Sequence, residues 1–388
     1  MHQPGWQFLQ IPGPTNVPEQ VLRAMARPTI DHRGAEFARL VEETLDRLQP
    51  VFGTTGPVCV FPGSGTGGWE AALVNTLSPG DRILMVETGH FAVTWQKLAS
   101  HLGLDVVLLP GDWRRGVRAE QIEAALREDA AKLIRAVAVV HNETSTGVTS
   151  SIKNVRAAMD RAAHPALLMV DTISSLASIP YQHDAWGVDV TIAASQKGLM
   201  LPPGLAFNAM SDKALAANTQ AGLPRSYWDW QAQLAANKSG LFPYTPATNL
   251  LFGLREALAM LSAEGLESVY ARHARLGQAT RAAVIHWGLE FVCLEPGEFS
   301  NTLTAVLMPE GHDADAFRAR VLTEFNLALG NGLGKLSGRA FRIGHLGAFN
   351  DLMLLGTLSG VEMGLARSQI PHQAGGVQAA LDYLSTNQ

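Results

Sequence analysis

Cysteine is nearly absent: Cys59 and Cys293 are the only two among 388 residues. Two distant thiols give neither a disulfide framework nor a metal-ligand spacing, and they fit a reducing compartment. Long apolar runs are missing too; none reaches the roughly 18 residues that a membrane span needs. Basic clusters are scarce: the longest is Arg114-Arg115 and the net charge is −5. That balance argues against nucleic acid or an anionic membrane surface as a partner. The start, Met1-His2-Gln3-Pro4-Gly5-Trp6, lacks the basic and apolar regions of a secretory signal, and the end, Ser385-Thr386-Asn387-Gln388, is not a peroxisomal address. A cytoplasmic location is the expectation. Repeats, low-complexity tracts and a disordered linker are also lacking.

What the chain does hold is apolar residues, 47% against 17% charged, enough for a large soluble core. Its length exceeds what a single core usually needs, so two domains are expected. Short apolar runs at 58–61, 82–86, 106–109, 136–140, 166–170 and 188–193 read as strands. Amphipathic stretches at 69–77, 91–102, 119–127 and 152–163 alternate with them and read as helices. This alternation predicts a mainly parallel sheet with helices on both faces, whose active site lies outside the carboxyl ends of the strands. After Thr245-Pro246 the pattern changes to helices at 250–261 and 266–288, strands at 290–294 and 302–308, a helix at 314–324 and a strand at 340–343. That is a smaller α+β unit, with the boundary near Ala263-Glu264-Gly265.

Two residues stand at strand ends. Lys197 follows the run Asp189-Val190-Thr191-Ile192-Ala193-Ala194 and precedes Gly198 and a Pro202-Pro203-Gly204 turn; Asp171 ends Leu167-Leu168-Met169-Val170. An amine and a carboxylate placed so suit pyridoxal phosphate: the amine holds the cofactor as a Schiff base and the carboxylate keeps the pyridine nitrogen protonated. Each also has a plainer reading, Lys197 as a surface lysine closing a strand and Asp171 as the N-cap of a helix beginning at Thr172. Pro62-Gly63-Ser64-Gly65-Thr66-Gly67-Gly68 joins a strand to a helix, where backbone N–H groups and the dipole favour an anion. Ser64 and Thr66 add hydroxyl donors. The same stretch spells G-x-G-x-x-G with Glu87 about 20 residues on, so a dinucleotide site and a nicotinamide-dependent oxidoreductase remain an alternative at this point.

Four further places carry polar chemistry or ring contacts. His141-Asn142-Glu143-Thr144-Ser145-Thr146-Gly147 leaves a central strand, with Thr144 offering a hydroxyl to a cofactor ring; a simple turn is the alternative. His90-Phe91 follows another strand, and Phe91 either stacks on a pyridine face or packs as the first core residue of its helix. Arg342, within Phe341-Arg342-Ile343-Gly344-His345, is suited to a bidentate grip on an α-carboxylate, or else forms a structural salt bridge. Tyr244-Thr245-Pro246 falls near the domain junction, where an interdomain or intersubunit phosphate contact is expected.

Taken together these motifs resemble the class V, fold-type I aminotransferases, in the serine–glyoxylate and alanine–glyoxylate branch. The resemblance runs from Ile11-Pro12-Gly13-Pro14-Thr15-Asn16 and Ile30-Asp31-His32-Arg33 through the glycine stretch, Leu77-Ser78-Pro79-Gly80-Asp81 and Val140-His141-Asn142-Glu143-Thr144. It ends with Ser195-Gln196-Lys197-Gly198, Pro243-Tyr244-Thr245-Pro246 and Phe341-Arg342-Ile343-Gly344-His345-Leu346-Gly347. It implies an amino-terminal arm over residues 1–15, a large domain over 16–264 with a mainly parallel seven-stranded sheet, and a small α+β domain over 265–388. It further implies pyridoxal phosphate on Lys197, with Asp171 at the pyridine nitrogen and Phe91 on the ring. Ser64, Gly65, Thr66 and Gln196 would hold the phosphate, with Thr245 reaching it from the partner of a homodimer whose sites lie at the interface. Arg342 would take the substrate carboxylate, and Gly13 would lie beside the substrate. The expected activity is transfer of an amino group from a small L-amino acid, serine first and aspartate or alanine as alternatives, to glyoxylate. Two departures stand out. A tyrosine that some members contribute beside the threonine falls at Phe242, and Ile179-Pro180-Tyr181-Gln182-His183-Asp184 lacks the arginine expected of serine–glyoxylate relatives.

Overall fold

The structure, a computed structural model, describes residues 5–387. Residues 1–4 and 388, which enter the targeting expectation, lie outside the described residues. Seven strands form the large sheet in the order Val58–Gly63, Gly204–Met210, Val190–Ala194, Leu167–Asp171, Ile134–Val140, Arg82–Val86, Asp105–Leu109. All run parallel except Gly204–Met210, which is antiparallel to both of its neighbours. The sheet is thus seven-stranded and mainly parallel, as expected. Its central strands Leu167–Asp171 and Val190–Ala194 are buried at every position, which explains why they read as continuous apolar runs instead of alternating ones.

The strand Gly204–Met210 escapes sequence reading. Its composition, Gly-Leu-Ala-Phe-Asn-Ala-Met, is poor in β-branched residues and carries a polar Asn208 in the middle. Asn208 is fully buried, donates to the Gly68 carbonyl at 3.1 Å and accepts from Trp230 Nε1 at 3.1 Å. This returning strand places Lys197. The chain leaves Ala194, loops, and pairs back with Ala206 opposite Ala194. Ser195 Oγ closes the loop neck, donating to the Pro202 carbonyl at 2.8 Å and accepting from Leu205 N at 3.1 Å. Lys197 therefore sits in a pinned hairpin loop at the carboxyl end of the sheet.

A second sheet of five strands has the order Phe8–Gln10, Leu327–Asn331, Ala340–Gly344, Leu303–Leu307, Glu290–Phe291. Its outer strand comes from the start of the chain: Phe8, Leu9 and Gln10 pair in parallel with Leu327, Ala328 and Leu329. Helices Leu266–Trp287, Ala314–Phe325, Asp351–Arg367 and Gly376–Thr386 pack with it around a separate core that includes Trp287, Phe317 and Phe341. After Gln10 the chain crosses toward the large sheet. Thr15 N donates to the Gln196 carbonyl at 3.1 Å and Thr15 Oγ1 to the Lys197 carbonyl at 3.2 Å. One short segment thereby ties the small sheet to the Lys197 loop.

Candidate active site

Outside the carboxyl ends of the large-sheet strands lies a cavity of about 230 Å³ lined by Gly13, Ser64, Gly65, Thr66, Trp69, Phe91, Asn142, Thr144, Asp171, Gln196 and Lys197, among others. Of the residues singled out from sequence, Tyr244, Thr245 and Arg342 do not line it within the single chain. Thr245 is exposed and Tyr244 half-buried. Among the described residues the Tyr244 hydroxyl has no hydrogen-bond partner, and its ring stacks on Tyr227 with centroids 4.3 Å apart.

The glycine stretch proves to be the first turn of a helix, Gly65–Val74, with Ser64 as its N-cap and no side chain capping its N–H groups. Sequence periodicity placed that start at Trp69, because glycines carry no apolar signal. The glycines are there for close approach: a Cβ on Gly65 would stand 2.3 Å from Ile173 Cδ1 and one on Gly68 2.9 Å from Ile192 Cγ2. The open helix start therefore abuts the loop after Asp171, a ready anion site beside the carboxylate.

Asp171 is buried. Its Oδ1 accepts from Ile173 N at 2.7 Å and its Oδ2 from Trp69 Nε1 at 2.9 Å. The bond to Ile173 N shows that the cap-like reading was half right: the carboxylate does cap a turn, and still faces the cavity. Burial pushes its pKa up to about 7, against the two donors and Lys197, which favour the charged form. Trp69 was missed as a site residue. The available signal was an indole one turn into the glycine-opened helix, since a buried indole N–H needs an acceptor. Its ring also stacks on Trp95, 5.8 Å between centroids and 12° between planes.

Lys197 is buried, not a surface lysine. Desolvation lowers its pKa to about 7, assisted by the Arg342 guanidinium and opposed by Asp171. Its Nζ donates to the Pro12 carbonyl. Gly13 lies directly against it: a Cβ there would come 2.4 Å from Lys197 Cδ, and the Gly13 φ of +97° suits only glycine. The Gln196 side chain beside it leaves Oε1 buried without a partner among the described residues, the kind of orphan that a bound group satisfies.

The polar run at 141–147 is likewise spatially organised. Thr144 lines the cavity, and its carbonyl accepts from Arg342 Nη1 at 2.8 Å. Arg342 Nε donates to the Asn331 carbonyl at 2.8 Å. Among the described residues no carboxylate lies within ion-pair distance of this guanidinium, so the structural salt bridge is not formed. Burial lowers its pKa to about 10, the nearby Glu143 opposing. A buried guanidinium held by two carbonyls alone is a strong site for an incoming carboxylate. Phe91 stands at the start of helix His90–His101, half-buried, and lines the cavity.

Two further sequence expectations change. Glu87, the acid that a dinucleotide reading requires, accepts from Trp113 Nε1 at 2.8 Å and Lys335 Nζ at 2.5 Å, so it ties two parts of the fold together. The segment at 179–184 packs away from the cavity: Tyr181 OH and His183 Nδ1 both contact Thr191 Oγ1 at 2.7 Å. Thr191 points to the sheet face opposite that of its neighbour Ile192, which pairs with Asp171. None of residues 179–184 lines the cavity.

The arrangement fits pyridoxal phosphate: an uncapped helix start for a phosphate, a buried acid, a deprotonatable lysine, and a cationic grip. Comparison with known proteins agrees. The family model "Aminotransferase class-V" matches residues 7–332. The serine–glyoxylate aminotransferase of Methylorubrum extorquens is 50% identical, covering 99% of this chain and 98% of that one. The L-aspartate–glyoxylate aminotransferase of Paracoccus denitrificans is 44% identical over 96% of this chain and 95% of its own length. Among solved structures, the ureidoglycine–glyoxylate aminotransferase of Bacillus subtilis superposes with a TM-score of 0.92 at 27% identity, covering 99% of both chains. The chain belongs to the class-V aminotransferase family.

Proposed function

We propose that this aminotransferase moves the amino group of L-serine to glyoxylate, giving hydroxypyruvate and glycine, with pyridoxal phosphate carried on Lys197. The observation that carries the reading is the juxtaposition, in one cavity, of a buried lysine of lowered pKa and a buried aspartate, with Arg342 bonded to the carbonyl of the lining residue Thr144 and, among the described residues, to no carboxylate. Bound pyridoxal phosphate supplies an aldehyde carbon for the amino group and an electron-withdrawing ring that stabilises negative charge at the substrate Cα. The open start of helix Gly65–Val74, with Ser64, Thr66 and Gln196, holds its phosphate. Asp171 holds a proton at the ring nitrogen, and Trp69 and Ile173 N keep the carboxylate aimed. Phe91 covers the ring, and Thr144 borders it.

Lys197 serves as the base and acid that moves the proton to and from Cα, a role suited to an amine that is neutral near pH 7. Arg342 takes the substrate carboxylate, and Gly13 leaves room beside Lys197 for the substrate. Thr245, exposed on the single chain, completes the phosphate site of a partner subunit in a cytoplasmic homodimer; Tyr244 lies next to it. The chain divides into an amino-terminal arm (1–15), a large domain (16–264) and a small one (265–388), a division supported by the two separate sheets. Aspartate is the leading alternative donor, favoured by the Paracoccus relative; alanine follows.

The test is spectroscopic. Adding L-serine alone to the purified holoenzyme is expected to bleach the cofactor's visible band, and glyoxylate to restore it. Bleaching by aspartate or alanine but not serine would change the donor and keep the chemistry. No band after reconstitution with pyridoxal phosphate would overturn the cofactor assignment.

A further inference from the structure

Glu143 has no role in the reading above, yet it is fully buried one residue from Thr144. A buried carboxylate is costly unless saturated with donors, and this one is saturated. Oε1 accepts from Ser145 Oγ at 2.6 Å, Ser145 N at 3.1 Å and Phe91 N at 3.3 Å; Oε2 accepts from Ala92 N at 3.1 Å. It therefore occupies the start of helix His90–His101, where the dipole favours a negative charge. Ser145 Oγ adds to the clamp by accepting from His90 N at 2.9 Å. Gly89 makes room, since a Cβ there would stand 2.3 Å from Glu143 Cγ. On its other side, the next residue in the chain, Thr144, offers the carbonyl that receives Arg342 Nη1 at 2.8 Å.

Resting on the aminotransferase reading, we propose that Glu143 is a positioning residue that fixes two groups at once: the ring of Phe91 and the guanidinium of Arg342. Its oxygens are engaged by the helix start and by Ser145, so it supplies a nearby counter-charge to Arg342 without pairing with it. The guanidinium stays free for the carboxylate of the amino donor and, in the second half-reaction, of glyoxylate.

Glu143→Asp tests this, because it keeps the charge and withdraws one methylene of reach. In the holoenzyme the KM for L-serine and for glyoxylate are both expected to rise about tenfold, the loss of roughly one hydrogen bond to a charged group, with kcat changing less. Combined with Arg342→Ala, the effect on both KM values is expected to be far less than additive. Ser145→Ala, a milder change, should shift both KM values in the same direction should the aspartate variant fold poorly. A lowered melting temperature with unchanged KM values, or full additivity with Arg342→Ala, would overturn the proposal. Loss of the cofactor band in the unaltered protein would instead sink the underlying aminotransferase reading.

Discussion

Trp69 Nε1 donates to Asp171 Oδ2 at 2.9 Å across 102 residues of sequence. The indole thereby fixes the orientation of the carboxylate and helps to keep it charged against the desolvation that raises its pKa. Trp69→Phe removes that donor while preserving most of the stack on Trp95. Losing one hydrogen bond to a buried charged group costs roughly 1.5–3 kcal/mol, so kcat should fall by about one to two orders of magnitude with cofactor still bound. Steady-state kinetics beside a cofactor titration would check this; unaltered kcat would mean that the bond does not matter to the acid's work.

Gly13 is the position where the arm touches Lys197. Gly13→Ala demands a Cβ within 2.4 Å of the lysine side chain at a φ of +97°, a conformation costing about 1–3 kcal/mol for other residues. The variant is expected to fold but to lose most of its cofactor and turnover. Full cofactor occupancy with normal kcat would show that the arm yields freely.

Arg342→Ala is expected to cost on the order of 2–5 kcal/mol in kcat/KM, the range for truncating one partner of a buried charge pair. Arg342→Lys keeps the charge but loses the fork, and should recover only part of the loss. A loss limited to thermal stability would restrict the guanidinium to holding the Asn331 and Thr144 carbonyls.

Lys197→Ala should abolish both the visible band and turnover. In the cofactor-free protein the amine is held down to a pKa of about 7, and the neutral form is the one that reacts with an aldehyde. The rate of cofactor capture should therefore rise with pH through about 7 and level off above it. A rate still climbing above pH 9, as for an ordinary lysine, would contradict the burial argument.

His141, His183 and His273 are held neutral by burial with pKa values lowered to about 4, and His345 to about 3. Unfolding frees these rings to bind protons below about pH 6.5, so the unfolded state takes up more protons and stability falls as pH falls. The contribution is complete above pH 6.5 and is lost progressively toward pH 4 and below. Asp171, with its raised pKa, acts in the opposite sense, but as one group against four. Denaturant midpoints at pH 7, 6 and 5 should decrease in that order; a flat series would contradict the neutral assignment.

The buried strands were legible because continuous apolar runs ending in polar residues have few other uses, and both Asp171 and Lys197 were visible as such endings. The strand Gly204–Met210 was not, since Asn208 breaks its pattern and finds its distant partners, the Gly68 carbonyl and Trp230 Nε1, only after the chain has folded. The outer strand Phe8–Gln10 was illegible for a similar reason: it is three residues long and its partner begins at Leu327. Trp69 and Glu143 were passed over because each looks ordinary beside its sequence neighbours. The acceptor of Trp69 and two donors to Glu143, Phe91 N and Ala92 N, come from other elements.

By itself the sequence determined residue type and local period: where strands end, where a glycine stretch opens a helix, and which lysine, aspartate and arginine belong to the family pattern. Those properties are written in consecutive residues and the backbone responds to them locally. Only the tertiary structure decided the charge states and pairings. Lys197 and Asp171 are shifted toward neutrality by atoms brought around them from distant segments, and Arg342 lacks a carboxylate partner because none of the described acids folds within reach of it. Desolvation and hydrogen bonding depend on what surrounds a group in space, and that exists only once the chain has packed.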